Sequence, residues 1–112
     1  MVDFSSPELI GLIVKLVIAI ILGAALGIER TLAKKTAGMR TYALVSLGSA
    51  LFVIIADLAG RQYLELGALS LDPLRIASQI IVGIGFLGAG LIIIKDDKLH
   101  GLTTAAGLWV AA

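Results

Sequence analysis

The 112-residue chain has no cysteine, so disulfides, thiolate metal sites and cysteine nucleophiles are all excluded. Charge is scarce as well, with Asp, Glu, Lys and Arg making up only 15% of residues. The single histidine, His100, has no second imidazole or thiolate to complete a metal site and reads as an exposed loop residue. No nucleophile–base pair can be assembled, which argues against an enzyme. A formal net charge of +1 gives no basic excess for nucleic acid. The N-terminus offers Asp3 and Glu8 where a signal peptide needs basic residues, so no cleavable leader is expected.

What the chain has in abundance is apolar surface. Hydrophobic residues make up 59% of it, and the mean hydropathy is +1.05, far above an ordinary soluble domain of this size. Three runs are long enough to cross a bilayer: Leu9–Ile28, interrupted only by Lys15; Tyr42–Ala59, with Asp57 near its end; and Ile76–Ile94, which carries no charge. Lipid offers no hydrogen bonds to backbone, so spanning segments are helices. The reading is an all-α, polytopic helical membrane protein, with helices over about 9–28, 42–59 and 73–94 and a fourth beginning at 102. Leu102–Ala112 would reach only about 16 Å as a helix. It is therefore expected to be the first part of a longer span, with the native polypeptide continuing beyond Ala112.

Gly83-Ile84-Gly85-Phe86-Leu87-Gly88 matches the G-x-G-x-x-G pattern of dinucleotide-binding loops, but its setting excludes that use. Such a loop needs a preceding strand and an acidic residue about 20 positions on, where this chain has Thr103. Gly83, Gly85, Gly88 and Gly90 are instead glycines on a membrane helix, where a missing side chain lets backbones approach. Gly11, Lys15, Ala19, Gly23 and Gly27 recur every four residues on the first helix and make a second small stripe. On the second helix Ala43, Ser46, Ala50, Val53, Asp57 and Arg61 share a face. On the third, Asp72, Arg75, Gln79, Gly83, Phe86 and Gly90 do the same.

Basic residues set the expected orientation. Arg30, Lys34, Lys35 and Arg40 lie between the first two spans and Lys95 and Lys98 follow the third, against only Arg61 and Arg75 between the second and third. The positive-inside rule then puts the N-terminus outside, and the Arg30–Arg40 loop is expected to touch anionic headgroups. Asp72-Pro73 reads as an N-cap followed by proline at the first helical position.

Ionisable residues within or beside a span are functional candidates. Lys15, Asp57, Asp72 and Arg75, with Gln79, could meet in an outward-facing vestibule and serve an ion or a partner. The alternatives are that Lys15 snorkels to the headgroups and Asp57 is interfacial, or that the two form an ion pair fixing helix register. Asp96-Asp97 could hold a hard cation, but two carboxylates on a short turn are more commonly solvated.

Five strings in order, Gly27-Ile28-Glu29-Arg30, Ala37-Gly38-Met39-Arg40-Thr41, Asp72-Pro73-Leu74-Arg75-Ile76, Gly83 to Gly90, and Gly101-Leu102-Thr103-Thr104-Ala105-Ala106 with Trp109 beyond, resemble the N-terminal membrane domain of the MgtC/SapB family. The resemblance runs from about residue 9 to 112, with Met39 standing where the family often has leucine. It implies a bacterial inner-membrane protein linked to magnesium limitation and, in pathogens, to survival in host cells. It also implies signature positions at Glu29, Arg30, Arg40, Thr41, Asp72, Arg75, Gln79, Thr103 and Thr104, along with the glycines. Two functions follow: a non-enzymatic regulator docking other membrane proteins, including the ATP synthase, or a second copy of itself; or a magnesium transporter or sensor with Asp57, Asp72 and Gln79 as oxygen ligands. Magnesium is the one ligand this second function would require, and no cofactor is otherwise expected.

Overall fold

A computed structural model of the protein describes residues 6–67 and 72–112. Its helices are α1 (Pro7–Leu32), α2 (Met39–Glu65), α3 (Pro73–Leu91) and α4 (Leu102–Ala111), and a two-stranded hairpin, β1 (Ile93–Lys95) and β2 (Lys98–His100), joins the last two. α1, α2 and α3 are each long and apolar enough to cross a membrane. Most of their large apolar side chains face outward, Ile13, Val17, Ile21, Phe52, Ile55 and Val82 among them, as suits a chain whose solvent is lipid. The protein is a helical membrane protein.

Each helix begins and ends for a local reason. Ser6 caps α1, its hydroxyl accepting from the Leu9 N–H at 3.3 Å, and Pro7 follows at the first turn. α1 closes in a Schellman motif: the Lys35 N–H donates to the Arg30 carbonyl at 2.9 Å and the Lys34 N–H to Thr31 at 3.1 Å. Lys34 occupies the left-handed position at φ 53°, where glycine is more usual. Both α1 and α2 therefore run past the apolar limits of about 9–28 and 42–59. The added turns are where the polar residues concentrate, among them Glu29, Arg30, Arg40, Arg61, Gln62 and Glu65.

α2 starts at Gly38, which has no side chain to cap it. The cap comes from α1 instead: the Thr31 hydroxyl accepts from the Met39 N–H at 2.7 Å while donating to the Gly27 carbonyl at 3.3 Å. α3 begins as the Asp72-Pro73 reading requires, with the Asp72 carboxylate accepting from the Leu74 N–H at 3.0 Å.

The expected end of α3 at Ile94 is corrected to Leu91. Ile92 is already extended, and the β-branched run Ile92–Ile94 enters the hairpin, with Ile93 opposite His100 and Lys95 opposite Lys98. Asp96 and Asp97 both take positive φ, 53° and 58°, as the central residues of a type I′ turn do. The acidic pair is thus a turn element. Gly101 ends the hairpin at φ 86°, where a Cβ would overlap the Leu91 carbonyl.

α1 and α2 form an antiparallel hairpin with the most extensive contact in the chain, and α4 rests against α1, α2 and α3. At the α1–α2 crossing the backbones nearly touch. A Cβ on Gly23 would stand 2.6 Å from the Tyr42 carbonyl oxygen and 2.7 Å from Ser46 Cβ; one on Gly27 would stand 2.7 Å from Met39 Cα. The buried cluster is small: Ala37, Tyr42, Leu108 and Ala111, flanked by Val45 and Leu91.

Gly23→Ala should destabilise the protein by about 1–3 kcal/mol through overpacking. Gly11, with nothing within 4 Å of its would-be Cβ, should tolerate alanine or gain from its better helix propensity. Thermal unfolding in detergent checks both; equal melting temperatures for the two variants would contradict the packing.

Candidate functional site

The sequence candidates separate into two groups at opposite ends of the α1–α2 hairpin. At the basic end Tyr42 is the organising residue. Its ring is buried, 1% exposed, and its hydroxyl donates to the Thr104 carbonyl on α4 at 2.7 Å, across 62 residues of sequence. Gly107, one turn along α4, leaves room for it: a Cβ there would lie 2.5 Å from the phenolic oxygen. Thr104 and Leu108 are buried beside it.

Around this contact lie the residues of the signature. Glu29 and Arg30 end α1 and pair with one another; the Arg30 side chain is 12% exposed and that of Glu29 79%. Arg40 and Thr41 lie exposed on the first turn of α2. Thr103 is exposed on the first turn of α4. A cavity of about 320 Å³ opens between α1 and α4, lined by Glu29, Arg30, Tyr42 and Thr103 at its polar end and by Leu26 and Val110 at its apolar end.

At the other end the expected vestibule residues are engaged separately. Asp57 pairs with Arg61 one turn on, at 2.8 Å, both side chains half exposed. Such a pair contributes at most about 1 kcal/mol. Asp72 caps α3, and Arg75 stands on the next turn with its carbonyl accepting from the Ser78 hydroxyl at 2.7 Å. Lys15 lines a groove between α1 and α2 with Ala19, Ser46 and Ser49. Among the described residues the side-chain ion pairs are Glu29–Arg30 and Asp57–Arg61, so the register-fixing Lys15–Asp57 pair does not form. Gln79 instead faces a 440 Å³ groove between α2 and α3, alongside Gly48, Ser49, Phe52 and Gly83. No group of three His, Cys, Asp or Glu that could hold a metal ion occurs among the described residues.

The glycines divide in the same way. Gly23 and Gly27 pack against α2 of the same chain, and a Cβ on Gly88 would lie 3.7 Å from Ala105 Cβ on α4. Among the described residues, Gly83, Gly85 and Gly90 have nothing within 4 Å of a would-be Cβ. Three positions escaped the sequence reading. Tyr42 served there only as the first residue of a span, while Thr31 and Gly107 were passed over. A lone tyrosine opening an apolar run was the available signal, since a buried phenol seeks a hydrogen-bond partner.

The MgtC family model matches residues 16–112 of this chain. The chain belongs to the MgtC family. Among curated proteins it is 45% identical over 100 residues to the "Putative magnesium transporter YhiD" of Escherichia coli (strain K12), covering 89% of this chain and 46% of that protein. It is 38% identical over 102 residues to Protein SapB of Bacillus subtilis (strain 168), covering 90% and 44%. Protein MgtC of Brucella suis biovar 1 (strain 1330) is 42% identical over 94 residues, covering 84% and 36%. The chain thus spans less than half the length of these relatives. No solved structure matches it.

Proposed function

We propose that this MgtC-family chain forms the membrane part of a non-enzymatic regulator of the bacterial inner membrane, linked to magnesium limitation and acting through helix–helix contacts. The observation that carries the reading is the uncovered glycine backbone of α3, on two sides of the helix: Gly83 and Gly90 on one, Gly85 nearly opposite. Gly83, Gly85 and Gly90 leave backbone uncovered within the chain, and small residues are where membrane helices approach one another most closely. The Gly23 and Gly27 stripe is not available for this purpose, because α2 already fills it. The partner is a second copy or another membrane protein, with the ATP synthase the candidate that the family resemblance supplies. The N-terminus lies outside and the basic Arg30–Arg40 turn in the cytoplasm, on the count of Lys and Arg.

A transporter or sensor reading is favoured by the name of the Escherichia coli relative. Against it, two of its three oxygen ligands are committed elsewhere, Asp57 to Arg61 and Asp72 to the start of α3. Magnesium is bound through one or two carboxylates and retained waters, so freeing either side chain would first cost a structural contact.

Full-length protein in proteoliposomes loaded with a magnesium-sensitive dye should give no more influx than protein-free vesicles under an imposed gradient. Saturable influx dependent on Asp57 and Asp72 would overturn the regulator reading. For orientation, a cysteine in place of Lys35 should resist a membrane-impermeant thiol reagent applied to intact spheroplasts and react after lysis. Labelling before lysis would reverse the topology.

A further inference from the structure

The cavity at the basic end is polar at one end and apolar at the other, and that gradient runs along α1 and α4 away from the basic turn. Leu26 lies one turn from Arg30 along α1, and Val110 two turns from Thr103 along α4, in both cases further into the span. Going inward from the basic turn, the walls therefore present the Arg30 guanidinium with the Glu29 carboxylate and the Thr103 hydroxyl, then Tyr42 and Gly107, then aliphatic side chains.

Arg30 is what distinguishes the site from a generally basic surface. Lys34, Lys35 and Arg40 are exposed to solvent, whereas the Arg30 side chain is 12% exposed and held against the cavity wall. Its partner among the described residues is Glu29, which is itself 79% exposed and free to swing into water. A guanidinium so placed offers a planar fork of donors suited to a phosphate.

We propose that this cavity binds one anionic phospholipid, its phosphodiester on Arg30 with the Thr103 hydroxyl beside it, and the upper part of an acyl chain against Leu26 and Val110. The volume of about 320 Å³ accommodates a headgroup phosphate and the glycerol region, with the remaining chain lying in the bilayer. A basic pocket between transmembrane helices is a recurrent form of headgroup site. The apolar lower wall selects a lipid over free phosphate, which would leave that surface uncovered. Glu29 opposes the bound charge and must give up its pairing with Arg30 to admit it.

Native mass spectrometry of the full-length protein, titrated with phosphatidylglycerol or with phosphatidylcholine, tests the site. Arg30→Gln should weaken retention of the first phosphatidylglycerol about tenfold, whereas Lys34→Gln and Lys35→Gln, which remove the same charge from the surface, should change it less than about twofold. Glu29→Gln should strengthen it. Because Arg30→Gln could disturb folding, Ala106→Leu supplies an independent variant: it leaves every charge in place, narrows the cavity from the α4 side, and should reduce retention as well. Equal losses for the three basic variants would show diffuse surface attraction and overturn the proposal. So would equal retention of phosphatidylcholine, or displacement of phosphatidylglycerol by millimolar inorganic phosphate, which would mark a site for the free anion.

Discussion

The hydroxyl of Tyr42 needs a hydrogen-bond acceptor in the interior of the helix packing, and the arrangement of three helices follows from how it finds one. It donates to Thr104 on α4, its ring requires a glycine at 107, and the backbone of the same residue lies against Gly23 of α1. α1, α2 and α4 thus converge on one residue. Donor and acceptor are both buried, so this bond, although worth only about 0.5–1.5 kcal/mol net, has no ready substitute if it is lost. Thr31 adds a second tie at the same end by capping α2 from α1.

Away from that point the packing loosens. α3 leans on α2 and α4, and the long groove beside Gly48 and Gly83 is lined almost wholly by apolar groups. Lipid is as apolar as leucine, so no hydrophobic force closes such a groove. Where helices touch most closely a glycine admits the neighbour: Gly23 and Gly27 meet the start of α2, and Gly107 meets the Tyr42 ring and hydroxyl. Three of the glycines without a neighbour among the described residues, at 83, 85 and 90, lie on α3, which touches the rest through α2 and α4.

Much of this was legible beforehand because lipid makes demands that composition records directly. Three uncharged or nearly uncharged runs of spanning length could only be helices, and Asp72-Pro73 announced the start of α3. The end of α3 was not legible, since Ile92–Ile94 is as apolar as the helix before it; what removes it from the helix is the Asp96–Asp97 turn and its pairing with Lys98–His100. At the candidate site, the signature residues Arg30 and Thr103 were named, but not that they share a cavity. Helical periodicity shows which residues share one face of one helix, and says nothing of which faces meet. For the same reason the sequence offers Lys15 and Asp57 as an ion pair, although Asp57 pairs with Arg61 on its own helix.

The central claim is that the Tyr42 hydroxyl and the bare Gly107 backbone fit one another, and a double-mutant cycle tests it most directly. A methyl group at 107 would collide first with the phenolic oxygen, 2.5 Å away, so Tyr42→Phe removes the very atom that Gly107→Ala offends. Measured by unfolding in detergent, the double variant should be more stable than the sum of the two single losses predicts, by about 1 kcal/mol or more. Losses that add to within about 0.5 kcal/mol would mean that the two residues do not touch, and α4 would have to be placed elsewhere.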